Sequence, residues 1–440
     1  MFSMTSFVRT KTNTFYNWAQ TFHSVPTDWY YPESVADVQE IITQSRNQKR
    51  TIRVVGAGHS FTPLVATSDC LVSLDRLTGI VSLDDKNETV TVLAGTKLFD
   101  LSERLAVHGF SLENLGDINV QSVAGAIATG THGTGITFGS ISTQVESLTI
   151  VKADGSLSSL HRRTNKDAFY GAIVSLGTLG IVVSVTLRVV KRPIYHYESA
   201  KVQFADLQRE LFQWVEEHQH FEFFLFPHSD TVHVKTMDPS DHGPEDITKH
   251  KTTSLVVENY LLQCVSSVCK TFPKSSKFFS RLSSIAVSET SLHAPSDELF
   301  STPRNVRFVE MEYAVPLEKL PQILAHIRTA LHTSNYHVHF PIEVRTVKAD
   351  QLWLSPSYER PSAYIAFHMY SGTKYRPYFK AMETIMDTFE GRPHWGKLHT
   401  KSTEQLSVLY PRFQDFLHLR EQFDPDQMFL NSYLRELFYR

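Results

Sequence analysis

Residues 116–139 constrain the fold of this 440-residue chain most, because few of their side chains are large enough to fill a core. A glycine-rich backbone can approach a ligand closely, and consecutive backbone N–H groups form a nest that holds phosphate oxygens. Alanine, valine and isoleucine interrupt the glycines, unlike in a flexible Gly/Ser linker. The segment therefore predicts a ligand site lined by backbone. Its small residues include Gly116, Ser122, Gly125, Thr129, Gly130, Thr131, Gly133 and Gly135.

A second glycine turn, in "RVVGAGHSFTPL" at residues 53–64, begins like a dinucleotide-binding motif. Gly56 and Gly58 match the first two glycines of G-x-G-x-x-G, but Phe61 occupies the position of the third. Pro63 opposes a helix after the turn, and a Rossmann site seats its pyrophosphate on the N-terminus of that helix. The turn is therefore not predicted to belong to a Rossmann fold.

The same turn carries His59, whose imidazole can act as a covalent nucleophile. On spacing alone, the favoured interpretation is a loop histidine with a hydrogen-bonded partner. The glycine-rich segment at 116–139 shifts this balance towards a flat cofactor that the loop approaches closely, with His59 projecting towards it. A third small-residue turn, "SLGTLGIVVSV", supplies Gly177 and Gly180 ahead of a strand.

Charge and cysteine content exclude several classes of function. A formal net charge of −3 does not suggest nucleic-acid binding, and none is predicted. The 21 histidines are scattered without a spacing such as His-Glu-x-x-His, so no metal site is predicted. Three cysteines, Cys70, Cys264 and Cys269, are too few for a disulfide framework and indicate a reducing compartment. Together with an N-terminus that lacks the apolar core of a signal peptide, they predict a cytoplasmic protein.

One stretch, residues 168–187, is uncharged for 20 residues and is long enough to be considered as a membrane span. Its glycines and hydroxyl side chains suit that role poorly. Its second half alternates apolar and polar residues with the period of a strand. A strand with one buried face is therefore predicted, and no transmembrane helix.

The first part of the chain predicts a mixed α+β domain with many short strands. Ser34 is a candidate N-cap for a helix in "PESVADVQEIITQSRNQKR", and a second helix in "TKLFDLSERLAVHG" ends at Gly109. "TIRVVG" predicts one strand, and "CLVSLDRLTGIVSLDDKNETVTVLAGT" predicts three more, separated by turns. "VESLTIVKADGSLSSL" predicts a hairpin that turns at residues 153–155.

Composition shifts at Arg192 and Pro193, which predicts a domain boundary there. The following residues are rich in aromatic side chains and histidine, with alternating runs such as "VRFVEMEYAVP" and "SAYIAFHMY". "LEKLPQILAHIRTALHTS" predicts a helix, and "DPSDHGPEDITKHK" predicts a surface loop. The second domain is therefore predicted to be an antiparallel sheet with helices on one side.

Taken together, the motifs resemble the vanillyl-alcohol-oxidase-type flavoprotein family, and within it the sugar-1,4-lactone oxidases and the alditol oxidases. The resemblance covers nearly the whole chain. The matching motifs are "NWAQTF", "VVGAGHSFTPL", "ENLGDINVQSVAGAIATGTHGTG", "SLGTLGIV", "VEMEYAVP", "PIEVRTVKAD", "HWGK" and "FDPDQMFLNSYL". The resemblance implies an α+β, two-domain FAD-linked oxidase. Residues 1–190 would form an FAD-binding domain of two α+β subdomains. Residues 191–440 would form a substrate-binding cap with an antiparallel sheet flanked by helices, and residues 394–440 would return to the FAD site.

The resemblance also implies how FAD is held. In relatives with this Gly-x-Gly-His-Ser loop, the histidine is joined covalently to the flavin 8α-methyl group, and that residue here is His59. The implied contacts are Gly56, Ala57, Gly58, Ser60, Asp117, Ser122, Gly125, Thr129, Gly130, Thr131, His132, Ile181 or Val182, and His394.

Asp117 is a departure from one branch of the family, because alditol oxidases have a serine there, close to the substrate. The aspartate and the motifs "NWAQTF" and "VEMEYAVP" favour the lactone oxidases. In contrast, "SVAGAIATGTHGTG" is very similar to the alditol oxidases. Both branches therefore stay open, with a 1,4-lactone as the first choice and a polyol as the alternative.

Candidate catalytic residues lie in the second domain. Glu343 and Arg345, in "HFPIEVRTVKAD", are two residues apart and share one face of a strand. A surface pair of this kind contributes little to stability, but the preceding apolar run and the resemblance to the family's Glu-x-Arg pair imply an active site. The resemblance adds Lys397, in "RPHWGKLHT", as a catalytic residue. His368, in "AFHMY", completes the candidate substrate-binding set.

The expected reaction is hydride transfer from a carbinol carbon of the substrate to flavin N5, followed by reoxidation by O₂ to give H₂O₂. Arg345 or Lys397 would stabilise negative charge on the reduced flavin, and Glu343 would orient the substrate hydroxyls. Glu343 and His368 both stay open as the general base. The alternatives are an alditol oxidase, a lactone dehydrogenase with another electron acceptor, and a flavin- or metal-binding protein without turnover.

Overall fold

The structure, a computed structural model, describes residues 8–11, 13–302 and 305–440. Short strands dominate its first half, as the alternating segments of the sequence predicted. These strands are β1 (Val8–Lys11), β2 (Phe15–Tyr16), β3 (His23–Ser24), β4 (Asp28–Tyr31), β5 (Ile52–Val55), β6 (Cys70–Ser73), β7 (Ile80–Asp84), β8 (Thr89–Leu93), β9 (Phe110–Ser111), β10 (Val145–Val151), β11 (Leu157–His161), β12 (Ile181–Arg188) and β13 (Val190–Lys191). The α-helices between them are α1 (Val35–Asn47), α2 (Leu98–Val107), α3 (Val123–Thr129) and α4 (Lys166–Ile173).

Two sheets organise this first half. In the first, with strand order β1-β4-β6-β5, strands β4 and β5 run parallel to β6. The second, with strand order β11-β10-β12-β8-β7, is antiparallel. Strand β12, from the uncharged stretch, buries every second residue, so the predicted half-buried strand is confirmed. Among the described residues, none of the helices is both long and apolar enough to cross a membrane.

Local signals explain where the elements of the first half begin and end. The Ser34 side chain accepts a hydrogen bond from the Asp37 N–H, and the Asp37 carboxylate accepts one from the Ser34 N–H. This capping box starts α1 at the predicted place. After β5 the chain runs through residues 56–69 as loop and turn, which confirms that the glycine turn is not a Rossmann turn.

The second half is one antiparallel sheet of eight strands with helices around it. Its strands are β14 (Ile194–Gln203), β15 (His220–Leu225), β16 (Thr231–Pro239), β17 (Thr290–Pro295), β18 (Phe308–Pro316), β19 (Ile342–Val347), β20 (Ser362–Tyr370) and β21 (Arg392–Pro393), in the order β17-β14-β16-β15-β19-β20-β18-β21. Its helices are α5 (Phe204–Glu217), α6 (Thr248–Leu255), a π-helix (Val256–Leu261), α7 (Leu262–Thr271), α8 (Ser276–Ala286), α9 (Ser296–Leu299), α10 (Leu320–Thr333), α11 (Arg376–Thr388), α12 (Thr403–Leu409), α13 (Phe413–Phe423) and α14 (Ser432–Tyr439).

The two faces of this sheet have different chemistry, because side chains alternate along each strand. On β18, Val309, Met311 and Tyr313 point towards α5, α10 and α11 and form a core with them. The intervening residues, Glu310 and Glu312, therefore face the other way. The same alternation places ionisable residues of β15, β19 and β20 on that second face.

Two features differ from, or extend, the sequence predictions. The predicted surface loop at residues 238–251 is shorter, because β16 continues to Pro239 and α6 already begins at Thr248. At the C-terminal end, Leu406, Tyr410 and Phe416 belong to the same core as side chains of β8, α2 and α3. The helices α12 to α14 therefore pack against the first half of the chain.

Candidate active site

Three small-residue segments meet around one cavity, which we call the first cavity. They are the loop after β5 (residues 56–61), helix α3 with its N-cap (residues 122–129) and the turn before β12 (residues 175–180). The sequence singled out each segment separately, and the fold brings them together.

Glycine is required at several points of this wall. Gly58 and Gly177 have φ angles of 68° and 65°, in the left-handed region that favours glycine. A Cβ on Gly56 would lie 2.4 Å from the Ser122 Oγ. That hydroxyl is already engaged, since it accepts a hydrogen bond from the Gly125 N–H at the start of α3 (3.3 Å). Larger residues at these positions would disturb the wall of the cavity.

His59 lines the first cavity and stacks on Trp18, with ring centroids 5.2 Å apart. Burial lowers the pKa of His59 to about 4, and the positive charges of Lys397 and Lys97 act in the same direction. The imidazole is therefore neutral at pH 7, and a neutral imidazole keeps the lone pair that a nucleophile needs.

A second cavity adjoins the first, since Phe308, Glu310, His394 and Lys397 line both. Its remaining wall includes the charged face of the eight-stranded sheet. Three segments of small residues thus form part of the wall of the first cavity, whereas ionisable side chains cluster in the second.

Arg345 lies among three carboxylates at one side of the second cavity. Its guanidinium forms ion pairs with Asp117 and Glu343, and its Nε donates to Glu222 at 2.9 Å. Although burial opposes the charge, these carboxylates hold the pKa of Arg345 well above its ordinary value. Glu222, Glu343 and Asp117 bring oxygen atoms within 4.8 Å of one another, a spacing that would suit a metal ion. The guanidinium of Arg345 already supplies a positive charge to them.

Lys397 and His368 share one buried carboxylate. Glu310 forms an ion pair with Lys397, and its Oε1 lies 3.6 Å from the His368 Nε2. Burial raises the pKa of Glu310, but Lys397 and His368 outweigh it and bring that pKa to about 2. Burial likewise lowers the pKa of Lys397, yet Glu310 and Glu312 leave it raised overall. Lys397 and Glu310 therefore form a charged pair on the boundary of the two cavities.

A second buried pair, His132 and Glu312, lies beside the pair of Lys397 and Glu310. His132 has its Nδ1 2.9 Å from the Gly133 carbonyl oxygen and its Nε2 3.2 Å from Glu312. His394 accepts a hydrogen bond from the Gly396 N–H at its Nδ1 (3.1 Å), and burial lowers the pKa of His394 to about 4. A neutral His394 therefore carries its proton on Nε2. His132, Glu312 and His394 also have potential metal-ligand atoms within 4.8 Å of one another.

Most of the predicted FAD contacts lie at the first cavity. Those lining it are Gly56, Ala57, Gly58, His59, Ser60, Ser122, Gly125, Thr129 and His394. Asp117, Thr131 and His132 line the second cavity instead. Asp117 is drawn there by its ion pair with Arg345, and His132 by its contact with Glu312.

Two further predicted contacts have structural roles. Gly130 ends α3 with a left-handed φ of 74° and faces Val174 and Pro356. Ile181 is buried in a core of the first half, because β12 alternates, and its neighbour Val182 lines the first cavity. All of the predicted substrate residues, Glu343, Arg345, His368 and Lys397, line the second cavity.

Four residues of the site were not predicted from the sequence: Trp18, Glu222, Glu310 and Glu312. Trp18 and the two glutamates of β18 lie inside motifs that carried the resemblance, "NWAQTF" and "VEMEYAVP". The alternation of glutamate with apolar residues in "VEMEY" was an available signal, because it predicts two carboxylates on one face of a strand. Glu222 had no comparable signal in the sequence around it.

Comparison with known proteins first defines the class. Residues 28–161 match the family described as FAD binding domain, and these residues supply the β5 loop and α3 of the first cavity. The chain is therefore a flavoprotein that carries an FAD-binding domain.

The second match is more specific. Residues 185–437 match the family described as D-arabinono-1,4-lactone oxidase. The chain is 36% identical to L-gulono-1,4-lactone dehydrogenase of Mycobacterium tuberculosis over 424 residues, which cover 96% of this chain and 98% of that protein. It is 34% identical to L-gulonolactone oxidase of Mus musculus over 443 residues, 97% and 98% of the two chains. The chain belongs to the D-arabinono-1,4-lactone oxidase family, and the resemblance noted in the sequence is confirmed.

Solved structures support the predicted fold class. A cholesterol oxidase from B. sterolicum superposes with a TM-score of 0.85 at 16% sequence identity, covering 98% of this chain and 97% of that one. At this identity the likeness shows the fold alone. It confirms the predicted α+β architecture, with an antiparallel sheet in the second half.

Proposed function

We propose that this protein oxidises a carbinol carbon of a sugar-derived 1,4-lactone, with FAD in the first cavity and O₂ as the electron acceptor. The observation that carries this proposal is the junction of the two cavities. There Lys397 and Glu310 line both spaces, with His59 in the first and Glu343 and Arg345 in the second.

The first cavity fits FAD. Its wall includes Gly56, Gly58 and Gly177, which have no side chain of their own, so the backbone can approach a flat ring system and a phosphate-bearing tail closely. A Cβ at Gly56 would already meet Ser122, so the narrow wall is built into the packing. When bound, the flavin supplies the redox chemistry by accepting a hydride from the substrate.

A covalent link through His59 is part of the proposal. His59 lines the cavity with its ring held against Trp18, which limits the orientations of the imidazole. Its lowered pKa keeps the imidazole neutral, the form able to make a bond to carbon. Lys97 and Lys397 contribute to the low pKa because a second positive charge beside them is unfavourable.

The second cavity fits a polar, neutral substrate with several hydroxyl groups. Glu343 and Asp117 accept hydrogen bonds from hydroxyls, and Arg345 holds both carboxylates in place. Lys397 and Arg345 donate hydrogen bonds to a ring oxygen or carbonyl oxygen of the lactone. Lys397, at the boundary, also stabilises negative charge that develops on the side of the first cavity as the hydride leaves.

We assign the proton of the reacting hydroxyl to His368. Glu343 is already engaged in an ion pair with Arg345, so we give it the role of orienting the substrate. His368 lines the same cavity and has its Nε2 3.6 Å from the buried carboxylate of Glu310. That carboxylate stabilises the imidazolium formed when the Nδ1 of His368 accepts the proton.

The test is a substrate panel on the purified holoenzyme. L-Gulono- and D-arabinono-1,4-lactone, xylitol and sorbitol are each supplied with oxygen, and both peroxide and oxygen consumption are followed. The proposal predicts stoichiometric peroxide with a lactone and little turnover of the alditols. Turnover of the alditols alone would make the protein an alditol oxidase and would overturn the choice of substrate.

A lactone dehydrogenase is the second candidate, because the relative from Mycobacterium tuberculosis is named a dehydrogenase. Lactone-dependent reduction of an artificial dye without oxygen consumption would establish this alternative.

We also propose a cytoplasmic location. Cys70, Cys264 and Cys269 are all unpaired, and Cys264 is exposed, which suits a reducing compartment.

A further inference from the structure

The helices α7 and α8 contact each other in the second half of the chain. Each buries polar residues and exposes apolar ones, the reverse of the usual arrangement. In α8 the buried residues are Ser276, Ser280 and Ser284. Phe278, Leu282 and Ile285 are instead 64%, 45% and 69% exposed. Surface helices normally bury their apolar stripe.

Helix α7 and its flanks repeat this arrangement. Ser266 is buried and hydrogen-bonds the His339 Nε2 through its Oγ at 2.8 Å. Leu261, Val268 and Phe272 are exposed instead. These three residues and Phe278, Leu282 and Ile285 form what we call the apolar surface. A single exposed apolar residue needs no explanation, but a cluster on two touching helices marks an interaction site.

Positive charge accompanies the apolar surface. Lys270, Lys274, Lys277 and Arg281 lie in the same segment, and residues 259–288 contain no aspartate or glutamate. The whole chain has a net charge of −3, so this segment opposes the overall charge. On α8, Lys277 and Arg281 each precede an apolar residue of the surface, and the cations therefore flank the apolar stripe.

We propose that the apolar surface docks this protein on an anionic lipid bilayer, with α7 and α8 lying in the interface. Helices with an outward apolar stripe and flanking lysine or arginine bind in this way. A second copy of the chain fits less well, because two basic faces would oppose each other. The docking is peripheral, through the side of two short helices.

The experiment is flotation of the holoenzyme with two kinds of vesicle, one of phosphatidylcholine alone and one with about a third phosphatidylserine. Wild-type protein is expected to float with the anionic vesicles only, and to be released as salt is raised. The triple variant F278S/L282S/I285S should lower the partition coefficient about tenfold or more, because its apolar contacts are lost. Its matched control is V81S/V107S/V408S, which removes exposed valines elsewhere and should bind as wild type does.

A second pair of variants tests the charges. K270Q/K274Q/K277Q should weaken binding to anionic vesicles by about fivefold for each lysine, whereas K86Q/K166Q/K319Q should leave it unchanged. All variants should keep their bound FAD and their lactone turnover, which shows that they are folded.

Three results would overturn the proposal. The first is a wild-type protein that does not float with anionic vesicles. The second is equal loss of binding in the apolar triple variant and its valine control. The third is a wild-type dimer, without vesicle binding, that F278S/L282S/I285S converts to a monomer in light scattering.

Discussion

Three segments of glycine, alanine and other small residues form part of the wall of the first cavity, whereas ion-paired side chains cluster in the second. In the first cavity, His59 is neutral, and glycines bring the backbone itself to the wall. In the second, Arg345 and Lys397 carry buried charges matched by carboxylates. The difference separates two tasks: the first cavity holds a large planar group, and the second orients and polarises a small polar one.

Lys397 lines both cavities, and we expect its loss to have the largest effect. We expect K397M to lower kcat/KM for the lactone about a hundred- to a thousandfold, because it removes a preorganised positive charge. Its FAD content should be unchanged. The measurement is steady-state turnover beside absorbance of the bound flavin.

K401M is the matched control for this prediction. Lys401 is also ion-paired, with Asp387, and lies four residues further along the chain, away from the lining of either cavity as described. K401M should change kcat/KM by only a few fold. Equal losses in K397M and K401M would contradict the role given to Lys397.

A smaller effect is expected at Glu310, which we regard as a positioning residue for Lys397 and His368. E310Q should lower kcat about ten- to a hundredfold, because both groups lose their shared counter-ion. E383Q is the control, since Glu383 is a buried carboxylate that accepts hydrogen bonds from the hydroxyls of Tyr313 and Thr400. If E383Q lowers kcat as much as E310Q does, loss of any buried carboxylate explains the effect.

Glu310 also predicts a dependence of stability on pH. Its pKa is about 2, below the ordinary value of 4.5, so its ionised form stabilises the folded state above pH 4.5. That contribution is lost as the pH falls from 4.5 towards 2. The free energy of unfolding of wild-type protein should therefore fall more steeply over this range than that of E310Q. Parallel curves in urea titrations at several pH values would contradict this account.

The smallest effect is expected at Ser122, in the wall of the first cavity. Ser122 and Ser402 are both N-cap residues, of α3 and α12, and each serine to alanine change should cost about 1 kcal/mol of stability. Only Ser122 lines the first cavity, so only S122A should also weaken retention of FAD. Thermal unfolding and flavin release on dilution measure the two effects. Equal flavin retention in S122A and S402A would contradict a contact between Ser122 and FAD.

The two cavities also differ in how far they could be predicted. The first depends on local segments whose small residues are visible in the sequence, and His59 lies inside one of them. In the second, Glu343 and Arg345 were predictable because their spacing alone puts them on one face of a strand.

Other parts of the second cavity depend on strand order and register, which composition does not encode. Glu310 lies opposite His368 because β18 pairs with β20, and Glu222 lies opposite Arg345 because β15 pairs with β19. The strands β15 and β19 are more than a hundred residues apart in the chain, with the strands β16 to β18 and the helices α6 to α10 between them. The sequence predicted Asp117 as an FAD contact, whereas the fold brings it into an ion pair with Arg345. That contact also depends on how distant segments pack, which composition does not encode.

The most direct test of the account is acid denaturation of the purified protein, followed by measurement of flavin fluorescence in the precipitated polypeptide and in the supernatant. We predict that wild-type protein keeps its flavin on the polypeptide, because His59 is bonded to it. H59A should bind FAD but release it entirely to the supernatant. Release of all flavin from the wild-type protein would contradict the covalent link, and a protein that holds none before denaturation would contradict the assignment of the first cavity.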